Sequence, residues 1–226
     1  MTAIFAICSK KYQVAALASD DIDSNGKRTD KIVLLKNRFA IAVNGHSSLY
    51  HALFTMGSFQ HFANYRVPDT LRGIIDEAFN LALKIYKYKN KDFQSMNRKN
   101  LISKPELYMR STLIALDIYN YDLYEIDLGQ LFSPDQKSIS PKISNLEDCK
   151  LHRIGYAAFR FKTPEELDYS DLKDLNTYIK KKFKDTKAIT PEMGDLGTFV
   201  ITEGKRIEIS TCFKNTMEYI EVMLKP

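Results

Sequence analysis

Thr2 is the residue of this chain that first raises a chemical question. A threonine with a free α-amino group carries a nucleophile and its base together. The hydroxyl attacks an amide carbonyl, and the amine accepts the proton directly or through water. An α-amino group has an ordinary pKa of about 7.7–8, near the pH where a base works well. In this sequence Met1 precedes Thr2. A small second residue permits Met removal, which would expose the amine, whereas a retained Met1 would block it. A Thr after Met is common in any protein, so without further context the expectation is the first residue of a strand. The remaining reactive types form no second constellation. His46, His51, His61 and His152 lack metal-ligand spacing. Cys149 and His152 make a lone C-x-x-H, and zinc would need two more ligands. No metal and no cofactor is expected. Cys8 lies in an apolar run and reads as a core residue.

The elements that must position Thr2 can be read from periodicity. "TAIFAIC" and "YQVAALAS" are short apolar runs separated by the polar "SKK", which predicts two strands. They lack strict alternation, so both faces are expected to be covered. "DDIDSNGKRTDK" follows, with a tight turn at Asn25-Gly26. "KIVLL" and "FAIAVNG" give two more strands. From Ser47 the spacing of Leu49, Ala52, Leu53, Met56 and Phe59 predicts a helix capped by Ser47 or Ser48. A second helix starts near Asp69-Thr70 and runs through Ile85. "STLIALDIY" and "DLYEIDL" read as paired strands, 128–150 as a long polar loop that leads into "KLHRIG". A third helix after Pro164 carries Leu172, Leu175, Tyr178, Ile179 and Phe183 on one face. "GTFVIT" and "RIEIS" are the last strands, and "CFKNTMEYIEVML" reads as a short terminal helix.

Strands, two helices, strands, helix, strands, with no linker or composition shift, imply one domain over 1–226 in which two sheets are enclosed by helices. At 226 residues, 44% hydrophobic and 27% charged, the chain is long enough for a sizeable core. The net charge of +5 is spread along the sequence rather than gathered into one basic element, so no nucleic-acid partner is expected. The interleaved Lys and Tyr of "KIYKYKNKDF" read as a solvated helix end. No apolar run approaches the roughly 18 residues of a membrane span. "AALAS" looks like a signal cleavage site, but Lys10 and Lys11 interrupt the apolar stretch instead of preceding it. Three widely spaced cysteines argue against a disulfide framework and fit a reducing compartment, so a cytoplasmic protein is expected.

In order, these pieces resemble a proteasome β-type subunit, within the N-terminal nucleophile hydrolases. The resemblance rests on Thr2 followed by an apolar hairpin closing in "ALASD" at Asp20. It continues with "DKIVLL", where Lys31 opens the next strand, and "RFAIAVNG" ending at Gly45. "LIALDIYNYDLYEIDLGQLF" is similar to the family's paired strands, and "HRIGYAAF" stands where the family has Gly-Ser-Gly. It covers nearly the whole chain, although each piece alone is weak. The sequence also departs from the pattern. Tyr156 stands where active members carry a Ser near the nucleophile, and Asp185 meets the second acidic position only with an insertion.

The resemblance implies an α+β fold, a four-layer αββα sandwich of two mainly antiparallel sheets between helical layers. It implies that Thr2 is the nucleophile, that Lys31 favours the neutral amine, and that Asp20 holds Lys31 charged and in place. The Gly45 N–H would donate to the oxyanion, and Ser24, Val43 and Ser47 would line the substrate groove. Unfolded polypeptide would dock there as an added strand. Self-association into rings is implied, with no ATPase or regulator identified. The expected function is a threonine-type peptidase. The alternatives are a ring-forming scaffold without catalysis and an amidohydrolase acting on a small amide.

Overall fold

A computed structural model of the chain describes residues 2–22, 26, 28–62, 64–89, 110–130, 140–155, 163–204 and 206–210. Eleven strands are named in chain order: β1 (Ala3–Ser9), β2 (Val14–Asp20), β3 (Ile32–Leu35), β4 (Phe39–Asn44), β5 (Arg110–Asp117), β6 (Asp122–Gln130), β7 (Lys142–Asn145), β8 (Lys150–Gly155), β9 (Glu165–Glu166), β10 (Leu196–Glu203) and β11 (Arg206–Ser210). The helices are α1 (Ser47–Phe59), α2 (Leu71–Lys89), α3 (Tyr169–Lys173) and α4 (Leu175–Ile189). One sheet runs β11-β10-β2-β1-β8-β9 and the other β3-β4-β5-β6-β7. Every described strand pairing is antiparallel.

Three apolar layers show how the sheets and helices stack. Along β1, Ala3, Phe5 and Ile7 join Leu172, Leu175, Ile179 and Phe183 of α3 and α4. The alternate residues Ile4, Ala6 and Cys8 meet Ala40, Ala42, Ile114 and Leu116 of the other sheet. Beyond that sheet, Val33, Ile41, Val43 and Leu113 pack on Leu49, Leu53, Ile74 and Ala78 of α1 and α2. The order is therefore helix, sheet, sheet, helix, the four-layer αββα sandwich expected. It explains why β1 and β2 read as continuous apolar runs: both faces of each strand are buried. Phe5 and Phe183, with ring centroids 4.2 Å apart, fasten α4 to the middle of β1.

Local differences from the sequence reading have physical causes. The stretch 128–150 is not all loop, because β6 extends to Gln130 and β7 pairs with it. All four residues of β7 are exposed, so this edge strand carries no apolar signal. The third helix is two, divided at Asp174, whose side chain caps α4 through the Thr177 N–H. The cap of α1 is His46 rather than Ser47 or Ser48: its Nδ1 accepts the Ser48 N–H at 3.1 Å. The predicted terminal helix lies outside the described residues. No helix among the described residues is long and apolar enough to cross a membrane.

Candidate functional site

Antiparallel pairing brings the sequence-predicted residues to one end of the sandwich. Ile4 pairs with Ser19, which sets the start of β1 beside the end of β2. Ala3 pairs with Gly155 at the end of β8, and Asp20 with Leu196 at the start of β10. In the second sheet Ile32 pairs with Ala42 and Asn44 with Thr112. The start of β3 and the end of β4 thus lie together, close to where β5 begins. Thr2, Asp20, Lys31 and Gly45 all stand at ends of these strands.

The centre of the cluster is a buried ion pair. Lys31 Nζ lies 2.5 Å from Asp20 Oδ1, with side-chain exposures of only 6% and 1%. Lys31 also donates to the Ile22 carbonyl at 2.5 Å. Its ammonium carries three hydrogens, and among the described residues the third has no partner. The same Asp20 Oδ1 accepts the Ala3 N–H at 2.8 Å. That nitrogen belongs to the peptide joining Thr2 to Ala3, so Lys31 sits one shared oxygen away from the backbone of Thr2. Asp20 Oδ2 faces the Gly194 N–H at 3.4 Å.

Backbone fit completes the neighbourhood. Gly155 has φ +80, and a Cβ placed on it would fall 2.1 Å from the Thr2 carbonyl oxygen. Only glycine lets β8 end against Thr2. Gly45 has φ +135 at the strand-to-helix junction. Val43 is tied to the pair through its N–H, which donates to the Lys31 carbonyl at 3.2 Å. Its side chain is buried in the layer beneath α1 and α2 instead of opening to a groove. Ser47 is exposed in the first turn of α1, and Thr2 is half-buried.

Asp185 is not brought to the cluster. The helical period that buries Phe183 and Thr186 turns Asp185 to solvent on α4. Ser24 and Tyr156 lie outside the described residues. The sequence reading missed a clamp on the other side of the pair. The Asp21 N–H donates to the Asp195 carbonyl at 2.9 Å, and the Asp195 N–H returns a bond to Asp21 Oδ1 at 2.9 Å. Arg28 reaches Asp21 Oδ2 at 3.3 Å. These partners are 174 residues apart, and no local pattern announces such a pairing. Ser111 was missed for the same reason; its Oγ accepts the His46 N–H at 3.1 Å.

The other reactive side chains are engaged elsewhere. Burial, reinforced by Asp148, pushes the Cys8 thiol up to about 12, so it holds its proton at neutral pH. His152 Nε2 is 2.8 Å from the Glu147 carbonyl. Among the described residues no group of three or more His, Cys, Asp or Glu could hold a metal ion.

No family model matches the chain, and no curated protein matches its sequence. Solved structures do. Anbu from Hyphomicrobium sp. strain MC1 superposes with a TM-score of 0.51 at 10% identity, over 95% of this chain and 89% of that one. Anbu (ancestral beta-subunit) from Yersinia bercovieri gives a TM-score of 0.49 at 11% identity, over 97% and 85%. These findings correct the family assignment made from motif order. No sequence-level match supports that assignment. At 10% identity, what the chain shares with Anbu is a proteasome-like fold, and membership of a family does not follow from it.

Proposed function

We propose that the chain is a threonine-type peptidase that cleaves peptide bonds through Thr2 once Met1 has been removed. The observation that carries this reading is the buried Lys31–Asp20 pair bound to the Thr2–Ala3 peptide. Taking both charges out of water costs several kcal/mol per ion, and apolar residues of like volume often serve stability as well or better. A buried cation beside a residue that can hold both nucleophile and base is an arrangement suited to catalysis.

In this reading the Thr2 hydroxyl oxygen attacks the scissile carbonyl carbon while the free α-amine takes the hydroxyl proton. The Lys31 ammonium beside the amine favours its neutral form, and Asp20 holds Lys31 in place. The Gly45 N–H donates to the oxyanion. The C–N bond breaks as the amine returns its proton to the leaving nitrogen. Water, deprotonated by the same amine, then hydrolyses the Thr2 ester and frees the acid. Substrates are extended polypeptide segments that pass the exposed Ser47 at the first turn of α1. Assembly into rings and a cytoplasmic setting belong to the same proposal.

Hydrolysis of fluorogenic peptide amides tests it. A chain beginning at Thr2 is expected to cleave them, and a chain retaining Met1 is not. Thr2→Ala should lower kcat by about 10³-fold or more. Equal rates from all three would overturn the reading. The solvent position of Asp185 favours a second reading, a ring-forming scaffold without catalysis, because it leaves the Thr2 amine without a second carboxylate from α4.

A further inference from the structure

We propose that Ser111 is a positioning residue for the backbone donor at Gly45; this rests on the peptidase reading given above. Ser111 is fully buried near the start of β5. It shares the strand parity of Leu113 and Ala115, which pack toward α1 and α2, so its side chain lies beneath the start of α1. From there it restrains the Gly45–His46 unit in two ways. Its Oγ accepts the His46 N–H at 3.1 Å. Its own atoms crowd Gly45 so closely that an added Cβ would fall 2.5 Å from Ser111 Oγ and 2.7 Å from Ser111 Cα.

Two neighbouring features hold this contact in place. The β5–β6 register slips between Arg110 and Thr112, opposite Ser111. Gly129, with φ +61, forms the turn of that bulge, and its N–H donates to Asp127 Oδ1 at 2.8 Å. The extra residue lies on β6, where Leu128 and Gly129 together oppose Ser111. On the other side of the junction, the His46 side chain caps α1 through Ser48 N–H. The Gly45–His46 peptide, which follows the Gly45 N–H directly, is therefore held between β5 and the helix start. The Gly45 N–H stands on this restrained segment, and under the peptidase reading it meets the incoming oxygen. Without Ser111 Oγ, the junction loses its tie to β5 and the direction of that N–H is no longer set.

The test compares the chain beginning at Thr2 with its Ser111→Ala form in two measurements. Amide exchange followed by NMR should show the His46 N–H exchanging at least about tenfold faster, with the Leu49 N–H unchanged. Peptide hydrolysis should show kcat falling about ten- to hundredfold, with KM held within about twofold. Should Ser111→Ala fail to fold, Ser111→Cys keeps the volume while weakening the acceptor. Faster exchange with unchanged kcat would make Ser111 a structural tie only and overturn the proposal, as would unchanged exchange. If the parent chain hydrolyses nothing, the peptidase reading fails and the role of Ser111 falls with it. Exchange is read without substrate, so that failure is distinguishable from failure of the Ser111 contact.

Discussion

Lys31 and Asp20 neutralise one another while almost wholly buried, so each depends on the other. Removing one leaves a buried charge without compensation, which costs about 3–5 kcal/mol. Lys31→Met should therefore destabilise the fold by about that amount, and Asp20→Leu/Lys31→Met should recover most of it, with peptide hydrolysis absent in both. Urea unfolding checks the stability ordering; a Lys31→Met chain as stable as its parent would contradict the account. Thr2, Asp20, Lys31 and Gly45 were singled out only through the resemblance in motif order, and strand pairing sets them at neighbouring strand ends. The clamp formed by Asp21 and Asp195, and the tie from Ser111 to His46, were not legible. Their partners are brought together only by the crossing of distant strands, which leaves no local spacing to read.

At the scale of elements, the junction of β4 and α1 is tightly constrained. Gly45→Ala would set a methyl against Ser111 and force a residue with Cβ into φ +135. It should cost about 1–3 kcal/mol of strain and lower kcat more than KM. A Gly45→Ala chain with parental kcat would contradict the role given to that backbone. On the far face, Phe183 fixes α4 to β1, and Phe183→Ala should cost about 3–5 kcal/mol. Calorimetry checks that value.

Glu165 fixes β9 and α4 to β8 through Arg153 and Lys182. Burial alone would push its carboxyl up, yet hydrogen bonds from Lys182 and Arg153 hold it below its ordinary 4.5. A depressed folded value stabilises the protein fully above the unfolded value and is lost as pH falls through the folded one. Thermal midpoints should therefore drop as pH falls below about 4.5, and Glu165→Gln should flatten that drop. An equally steep fall in the variant would exclude Glu165 as its source. The sequence showed α4 by its apolar period but concealed β7 and β9. Both are short, polar edge strands whose pairing comes from the sheet they join.

For the whole molecule, the four layers were legible because continuous apolar runs in β1 and β2 require cover on both faces, and helices of the right period lie on either side in the chain. The family was not. The sequence matches no family model, and the likeness to Anbu at 10% identity is one of fold. A fold fixes neither chemistry nor assembly, so the two need separate tests. Light scattering at cellular concentration should show a closed oligomer, and a monomer would contradict ring formation. The most direct test of the chemistry is the intact mass of the chain beginning at Thr2 after exposure to a peptide epoxyketone. Such a reagent forms a ring only with an N-terminal residue offering both amine and hydroxyl. The account predicts one adduct, mapped to Thr2 and absent from Thr2→Ala. An unmodified mass from a folded chain with its Thr2 amine free would contradict it.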